Sequence, residues 1–195
     1  MIISASRRTD IPAFYADWFF NRLEEGFTLT RNPMNFHQVS RIALSEDVVD
    51  GFVFWTKNPI PMADRLEQLG SIPFYFQFTL TPYGPDLEPG VPDKQAWMIP
   101  AFQQLARQIG PERLVWRYDP IVLTPAYTAD FHLQAFRSMA QQLSGCTDTC
   151  VISFYDSYSH LNRTARELGM RPPTREEIRI LAGKWARSPQ LRGCV

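Results

Sequence analysis

Runs of apolar, β-branched and aromatic residues alternate along this chain with amphipathic stretches, the pattern of a mainly parallel α/β fold. Residues 1–6 predict a first strand that ends in the polar cluster Ser6, Arg7, Arg8, Thr9 and Asp10. Pro12 follows, and residues 14–25 read as a helix stopped by Gly26. A short extended piece over 28–31 leads into an irregular loop through Asn32, Pro33 and His37. Residues 49–56 predict the second strand, and 61–69 the helix behind it, with Gly70 as its stop. A third strand over 74–81 gives way to a proline- and glycine-rich loop from Pro82 to Pro92, then a helix over 95–109 that is irregular at Pro100. Residues 113–118 and 150–155 predict two more strands, with a helix over 129–143 between them. Thr174, with Glu177 three residues on, forms a capping box for a last helix ending near Ala186.

That makes about five strand–helix units. A closed barrel takes eight parallel strands and roughly 250 residues, whereas this chain has 195. An open doubly wound sheet also fits five strands, but no glycine-rich phosphate loop follows the first one; Arg7, Arg8, Thr9 and Asp10 stand in that place. The expectation is therefore an α/β fold of partial (β/α) TIM type, incomplete at its C-terminal side and forming one domain over residues 1–195. No internal repeat or low-complexity segment interrupts it.

Every predicted strand ends in polar or aromatic residues on the side where βα loops build sites. The first supplies Arg7, Arg8 and Asp10; the second Trp55, Thr56, Lys57 and Asn58; the fourth Arg117 and Asp119; the fifth Ser153 and Asp156. Gln77, Thr79 and Thr81 alternate along the third and so share a face. Arginine forks grip carboxylate or phosphate bidentately and lysine adds a compact charge, so the set suits a small or polymeric anionic ligand. Arg7, Arg8, Asp10, Lys57, Asn58, Gln77, Arg117 and Asp119 are the candidate ligand-binding residues. The competing reading makes Arg7 or Arg8 with Asp10, and Arg117 with Asp119, structural ion pairs that tie strand ends together.

Charge narrows the partners. Twenty basic and twenty acidic residues give a formal net charge of zero, which argues against a general nucleic-acid or membrane coat while leaving room for a local basic patch. No apolar run reaches the length of a signal peptide or a membrane span. Cys146, Cys150 and Cys194 are too few and too unevenly placed for a disulfide framework, so the expected location is the cytoplasm.

His37, His132 and His160 have no partners at zinc-ligand spacing, and no metal site is expected. His132 falls in a predicted helix and reads as structural. Trp18, Phe19, Phe20, Phe74, Tyr75, Phe76 and Phe78 read as core, and Cys146 and Cys150 as ordinary core thiols. No Ser–His–Asp elbow, P-loop or dinucleotide fingerprint is present, so catalysis is left undecided.

Several blocks together resemble a bacterial family of uncharacterised proteins, a domain of unknown function, over roughly residues 1–183. They are Ile2-Ile3-Ser4-Ala5-Ser6-Arg7-Arg8-Thr9-Asp10-Ile11-Pro12, Gln38-Val39-Ser40-Arg41 and Val53-Phe54-Trp55-Thr56-Lys57-Asn58-Pro59. Tyr75-Phe76-Gln77-Phe78-Thr79-Leu80-Thr81, Trp116-Arg117-Tyr118-Asp119-Pro120 and Thr147-Asp148-Thr149-Cys150-Val151-Ile152-Ser153-Phe154 complete the set. Longer members look like radical S-adenosylmethionine barrels with a terminal cysteine cluster similar to an iron–sulfur site. The resemblance thus implies enzyme ancestry, with an iron–sulfur cluster and S-adenosylmethionine in the longer relatives. This chain departs from them: residues 184–195 no longer look like the family and the cysteine cluster is missing, so no cofactor is expected in this chain. A frameshift, a premature stop or a short paralogue would each produce such an ending. The chain then reads as an anion-binding partial barrel, as a truncated part of an iron–sulfur enzyme, or as a non-catalytic remnant or binding module. An incomplete barrel also leaves an open edge through which copies could associate.

Overall fold

Alternating strand and helix segments fold into a mixed α/β structure, seen in a computed structural model that describes residues 1–6, 8–156 and 162–185. Among the described residues five strands belong to a parallel sheet and two form a separate antiparallel ribbon. Among the described residues no strand pairing closes this sheet. Two compact units divide the chain, Met1–Phe78 and Thr79–Val195.

The first unit runs β1 (Ile2–Ser4), α1 (Ile11–Phe14), α2 (Ala16–Glu24), β2 (Phe27–Asn32), β3 (Asn35–Ala43), β4 (Gly51–Thr56), α3 (Ile60–Ala63) and β5 (Phe74–Thr79). β4 lies between β1 and β5, with Ile3 opposite Phe52 and Phe54 opposite Phe76. Every β4 residue except Trp55 is buried, as a parallel strand covered on both faces requires. Phe19 of α2 closes one face, its ring 5.3 Å from those of both Phe52 and Phe54. Each such buried phenylalanine contributes about 1.5–3 kcal/mol.

Two segments depart from the sequence reading. The helix expected over 14–25 is present as α2, but a separate short helix precedes it: Asp10 caps α1, which begins at Ile11 with Pro12 in its first turn, and Tyr15 then leaves helical geometry before α2 starts. The segment read as an irregular loop through Asn32 and His37 is instead half of a ribbon. In it Thr28 faces Ile42 and Arg31 faces Val39, with a register irregularity at Arg31/Asn32. Residues 35–41 of β3 are all exposed, so no apolar alternation marked them as a strand.

In the second unit a π-helical turn (Lys94–Met98) runs into α4 (Ile99–Ile109), followed by β6 (Leu114–Ile121), α5 (Ala129–Gln142), β7 (Thr149–Phe154), α6 (Asn162–Glu167) and α7 (Arg175–Trp185). Pro100 sits in the first turn of α4, where its missing N–H costs nothing; the irregularity expected there is the π turn just before it. β6 pairs in parallel with β7 and continues through a cis Asp119–Pro120 bond to Ile121. On α5 the buried residues His132, Phe136, Met139 and Ala140 recur at helical spacing. The Phe136 ring is sandwiched between Trp116 at 4.9 Å and Trp185 at 4.5 Å. Trp116 also donates its indole N–H to the Leu80 carbonyl at 2.9 Å, so its one polar atom is satisfied within the core. The expected capping box is formed: the Glu177 amide donates to Thr174 Oγ1 at 3.2 Å and the Thr174 amide to Glu177 Oε2 at 2.8 Å. Among the described residues no helix is long and apolar enough to cross a membrane.

Candidate functional site

The candidate residues at the strand ends divide between groups that hold the backbone and groups that stay available. Asp10 belongs to the first kind. Its Oδ1 accepts from the Ala13 amide at 3.0 Å and its Oδ2 from the Lys57 amide at 2.7 Å, so one carboxylate caps α1 and pins the end of β4. Asn58 is also turned to local use, since its Oδ1 accepts from the Ile60 amide at 3.1 Å. Lys57 is half-buried beside it. Gln77 donates to the Tyr75 hydroxyl at 3.3 Å. Arg7 and His160 lie outside the described residues.

Arg8 belongs to the second kind. It is exposed, and its guanidinium donates to the Arg31 carbonyl at 3.2 Å. It lines a pocket of about 320 Å³ in the first unit, at the low end of the range for small-molecule sites. The pocket lies beside β1, which among the described residues pairs with β4 alone. Ile3, Phe19 and Phe52 form its apolar floor. Thr28 and Thr30, which share a face of β2, bring hydroxyls to the wall. Trp18 and Arg22, four residues apart on α2 and so on one face of it, complete the mouth. Among the described residues neither Arg8 nor Arg22 is ion-paired. Arg65 shows the contrast, because it is held by Asp17 at 2.6 Å and lies over the Phe20 ring at 4.3 Å.

Trp18 corrects the core reading. Phe19 and Phe20 are buried, but Trp18 is 44% exposed because the stripe facing β4 passes through the two phenylalanines. Arg22, Thr28 and Thr30 escaped the sequence reading altogether. The i, i+4 spacing of Trp18 and Arg22 is the signal the sequence carries for them, and Trp18 beside two core phenylalanines masks it.

In the second unit the polar groups answer each other. Arg117 forks onto Asp119, its Nε donating to Oδ1 at 3.0 Å and its Nη2 to Oδ2. Ser153 adds a longer contact to the same carboxylate at 3.4 Å. Glu88, buried in the loop after β5, accepts from Thr81 Oγ1 at 2.9 Å and from the Lys94 ammonium. Tyr83 donates its hydroxyl to the Pro120 carbonyl at 2.7 Å and accepts from the Val122 amide at 2.7 Å; burial pushes its phenol well above the ordinary value. His132 is structural, as its helical position predicted. Its Nε2 lies 3.0 Å from the Val122 carbonyl and its Nδ1 2.9 Å from the Tyr118 hydroxyl. A carbonyl only accepts, so Nε2 carries the proton and the neutral ring accepts from Tyr118. Burial holds its pKa below the usual value.

Cys146 and Cys150 are half-buried rather than core thiols, and burial raises the Cys146 thiol above its ordinary value. Among the described residues no three His, Cys, Asp or Glu side chains gather as metal ligands, so those residues do not fit a cluster of the kind the resemblance implies.

A family model described as a domain of unknown function (DUF1848) matches residues 2–191. No curated protein and no solved structure matches the chain.

Proposed function

The chain belongs to the DUF1848 family, a domain of unknown function, and from that footing we propose that it binds a small, partly apolar anion beside β1. One observation carries the reading: Arg8 and Arg22 line the same pocket, and neither is answered by a carboxylate among the described residues. Guanidinium groups keep their charge at any physiological pH and present planar forks, so two of them over an apolar floor favour a carboxylate or phosphate attached to a hydrophobic body. Trp18 supplies a half-exposed ring against which such a body can lie. The Thr28 and Thr30 hydroxyls fix orientation by donating or accepting as the ligand requires.

The strand–helix alternation and the resemblance of the opening blocks support a finer reading of this fold, as part of a TIM-type barrel descended from radical S-adenosylmethionine enzymes. That descent concerns ancestry; the binding reading rests on the pocket.

Thermal shift with matched probes tests it. Benzoate and octanoate should raise the melting temperature, the stabilisation growing as RT ln(1 + c/Kd) with ligand concentration c, while the uncharged benzamide should not. Replacing Arg8 and Arg22 together by Ala should abolish the benzoate shift. Equal shifts with benzoate and benzamide, or an undiminished shift in the double variant, would remove the anion from the reading.

A further inference from the structure

The ribbon formed by β2 and β3 carries, besides its pocket-lining residues, a further set of exposed groups. Thr28, Thr30 and Ile42 share one face of the two strands and line the pocket, whereas Leu29, Arg31, Val39 and Arg41 alternate onto the other face, of which Leu29 also reaches the pocket. Arg31 lies opposite Val39, and Arg41 opposite Leu29, so the two guanidinium-bearing positions sit on a diagonal two steps apart, about 7 Å along the strands. Both arginines are exposed, and among the described residues neither is ion-paired. The Arg41 guanidinium carbon lies over the Phe27 ring, 4.0 Å from its centroid, a cation–π contact that helps to place the charge. From Gly26 to Ser45 the chain holds Arg31, His37 and Arg41 and no Asp or Glu.

The tip of the ribbon is braced and apolar. Asn32 Nδ2 donates to Gln38 Oε1 at 2.7 Å, Asn32 Oδ1 accepts from the Met34 amide at 2.9 Å, and Asn35 Oδ1 accepts from the His37 amide at 3.1 Å. These bonds fix the turn while Met34 is 91% and Phe36 69% exposed. A rigid turn that presents an aromatic ring to water, on a ribbon of one sign of charge, is prepared for its partner rather than packed for stability.

We infer that this ribbon is a contact surface for single-stranded nucleic acid, with phosphates at Arg31 and Arg41 on one face of the strands and a base stacked on Phe36 where the polymer turns around the tip, beyond the register irregularity at Arg31/Asn32. The charge selects an anionic polymer, and the exposed ring selects one that offers π-faces. A second copy of this chain is disfavoured, because two ribbons free of acids would meet with like charges. A local patch of this kind is compatible with a net charge of zero.

Fluorescence anisotropy with a labelled oligothymidylate 20-mer tests the inference on the whole chain. Binding should be saturable at low salt and weaken as salt rises. The Arg31→Ala/Arg41→Ala variant should flatten the log K against log salt slope by about 1.4, two phosphate contacts at roughly 0.7 each. Phe36→Ala should weaken binding about tenfold with the slope unchanged. Arg31→Lys/Arg41→Lys, which keeps the charge, should keep the slope and guards against a folding artefact. Arg175→Ala/Arg179→Ala on α7, an equal loss of charge elsewhere, should change nothing. Absence of binding at low salt, or an alanine pair with the wild-type slope, would overturn the inference. Polyglutamate competing as well as the oligonucleotide would also overturn it, in favour of an acidic protein partner.

Discussion

In the second unit charged and hydroxyl groups answer one another: Arg117 with Asp119, Glu88 with Thr81 and Lys94, His132 with Tyr118 and Val122. In the first unit four arginines, Arg8, Arg22, Arg31 and Arg41, meet no carboxylate among the described residues. Both halves draw on the same residue types, and each holds ion pairs as well as arginines that lack one among the described residues, such as Arg65–Asp17 in the first and Arg107 and Arg137 in the second. The contrast lies between the paired groups at the strand ends of the second unit and the arginines beside β1 and on the ribbon. A network that is satisfied and buried rigidifies its surroundings and resists exchange, because freeing one member strands the other. A guanidinium left to water keeps its donors for an incoming anion. The contrast moves the candidate site away from Arg117 and Asp119, where opposite charges cancel, and toward the arginines beside β1 and on the ribbon.

The sharpest way to break the contrast is to strand a buried charge. Lys94→Met takes the ammonium away from the buried Glu88 carboxylate and should destabilise the chain by about 3–5 kcal/mol in urea unfolding. Glu88→Leu/Lys94→Met, which removes both charges, should recover much of that loss. Recovery absent from the double variant would mean that packing, and not charge, holds this loop.

Acid probes the same network more gently. His132 is held below its ordinary pKa in the folded chain, so the unfolded chain takes up its proton first as pH falls. Its contribution is complete above about pH 6.5 and declines below it, by at most about 1.4 kcal/mol per pH unit. Urea midpoints measured from pH 8 to pH 5 should show this slope in the wild type and lose it in His132→Gln. The smallest effect belongs to the first unit. Arg22→Ala should shift stability by no more than about 0.5 kcal/mol, since it removes no internal partner. A larger loss would show that Arg22 holds the fold and would weaken the pocket reading.

What the sequence revealed follows from what it can encode locally. β4 and β6 were legible because Phe52, Val53 and Phe54, and Trp116 and Tyr118, are buried side chains in unbroken or alternating runs. The capping box at Thr174 was legible because it is complete within four residues. β3 was not, since its exposed residues on both faces leave no periodicity and its strand character comes from pairing with β2. The Glu88–Lys94 pair was equally hidden: six residues apart in a proline-rich loop, it is brought together by the turns between them. Of the candidate site residues, Arg8 reached the pocket, while Asp10 proved to be a brace. No pattern distinguishes a carboxylate that binds ligand from one that receives two backbone amides.

That brace has a consequence for how the chain tolerates change. Asp10 serves two segments at once, one oxygen for the Ala13 amide and the other for the Lys57 amide, 47 residues away. An asparagine there would keep one acceptor but turn an NH₂ toward the second donor. A glutamate would carry its carboxylate about one bond too far for the cap. A substitution that looks conservative would therefore be tolerated only alongside a change in the turn after β4, linking the histories of two positions far apart in the gene.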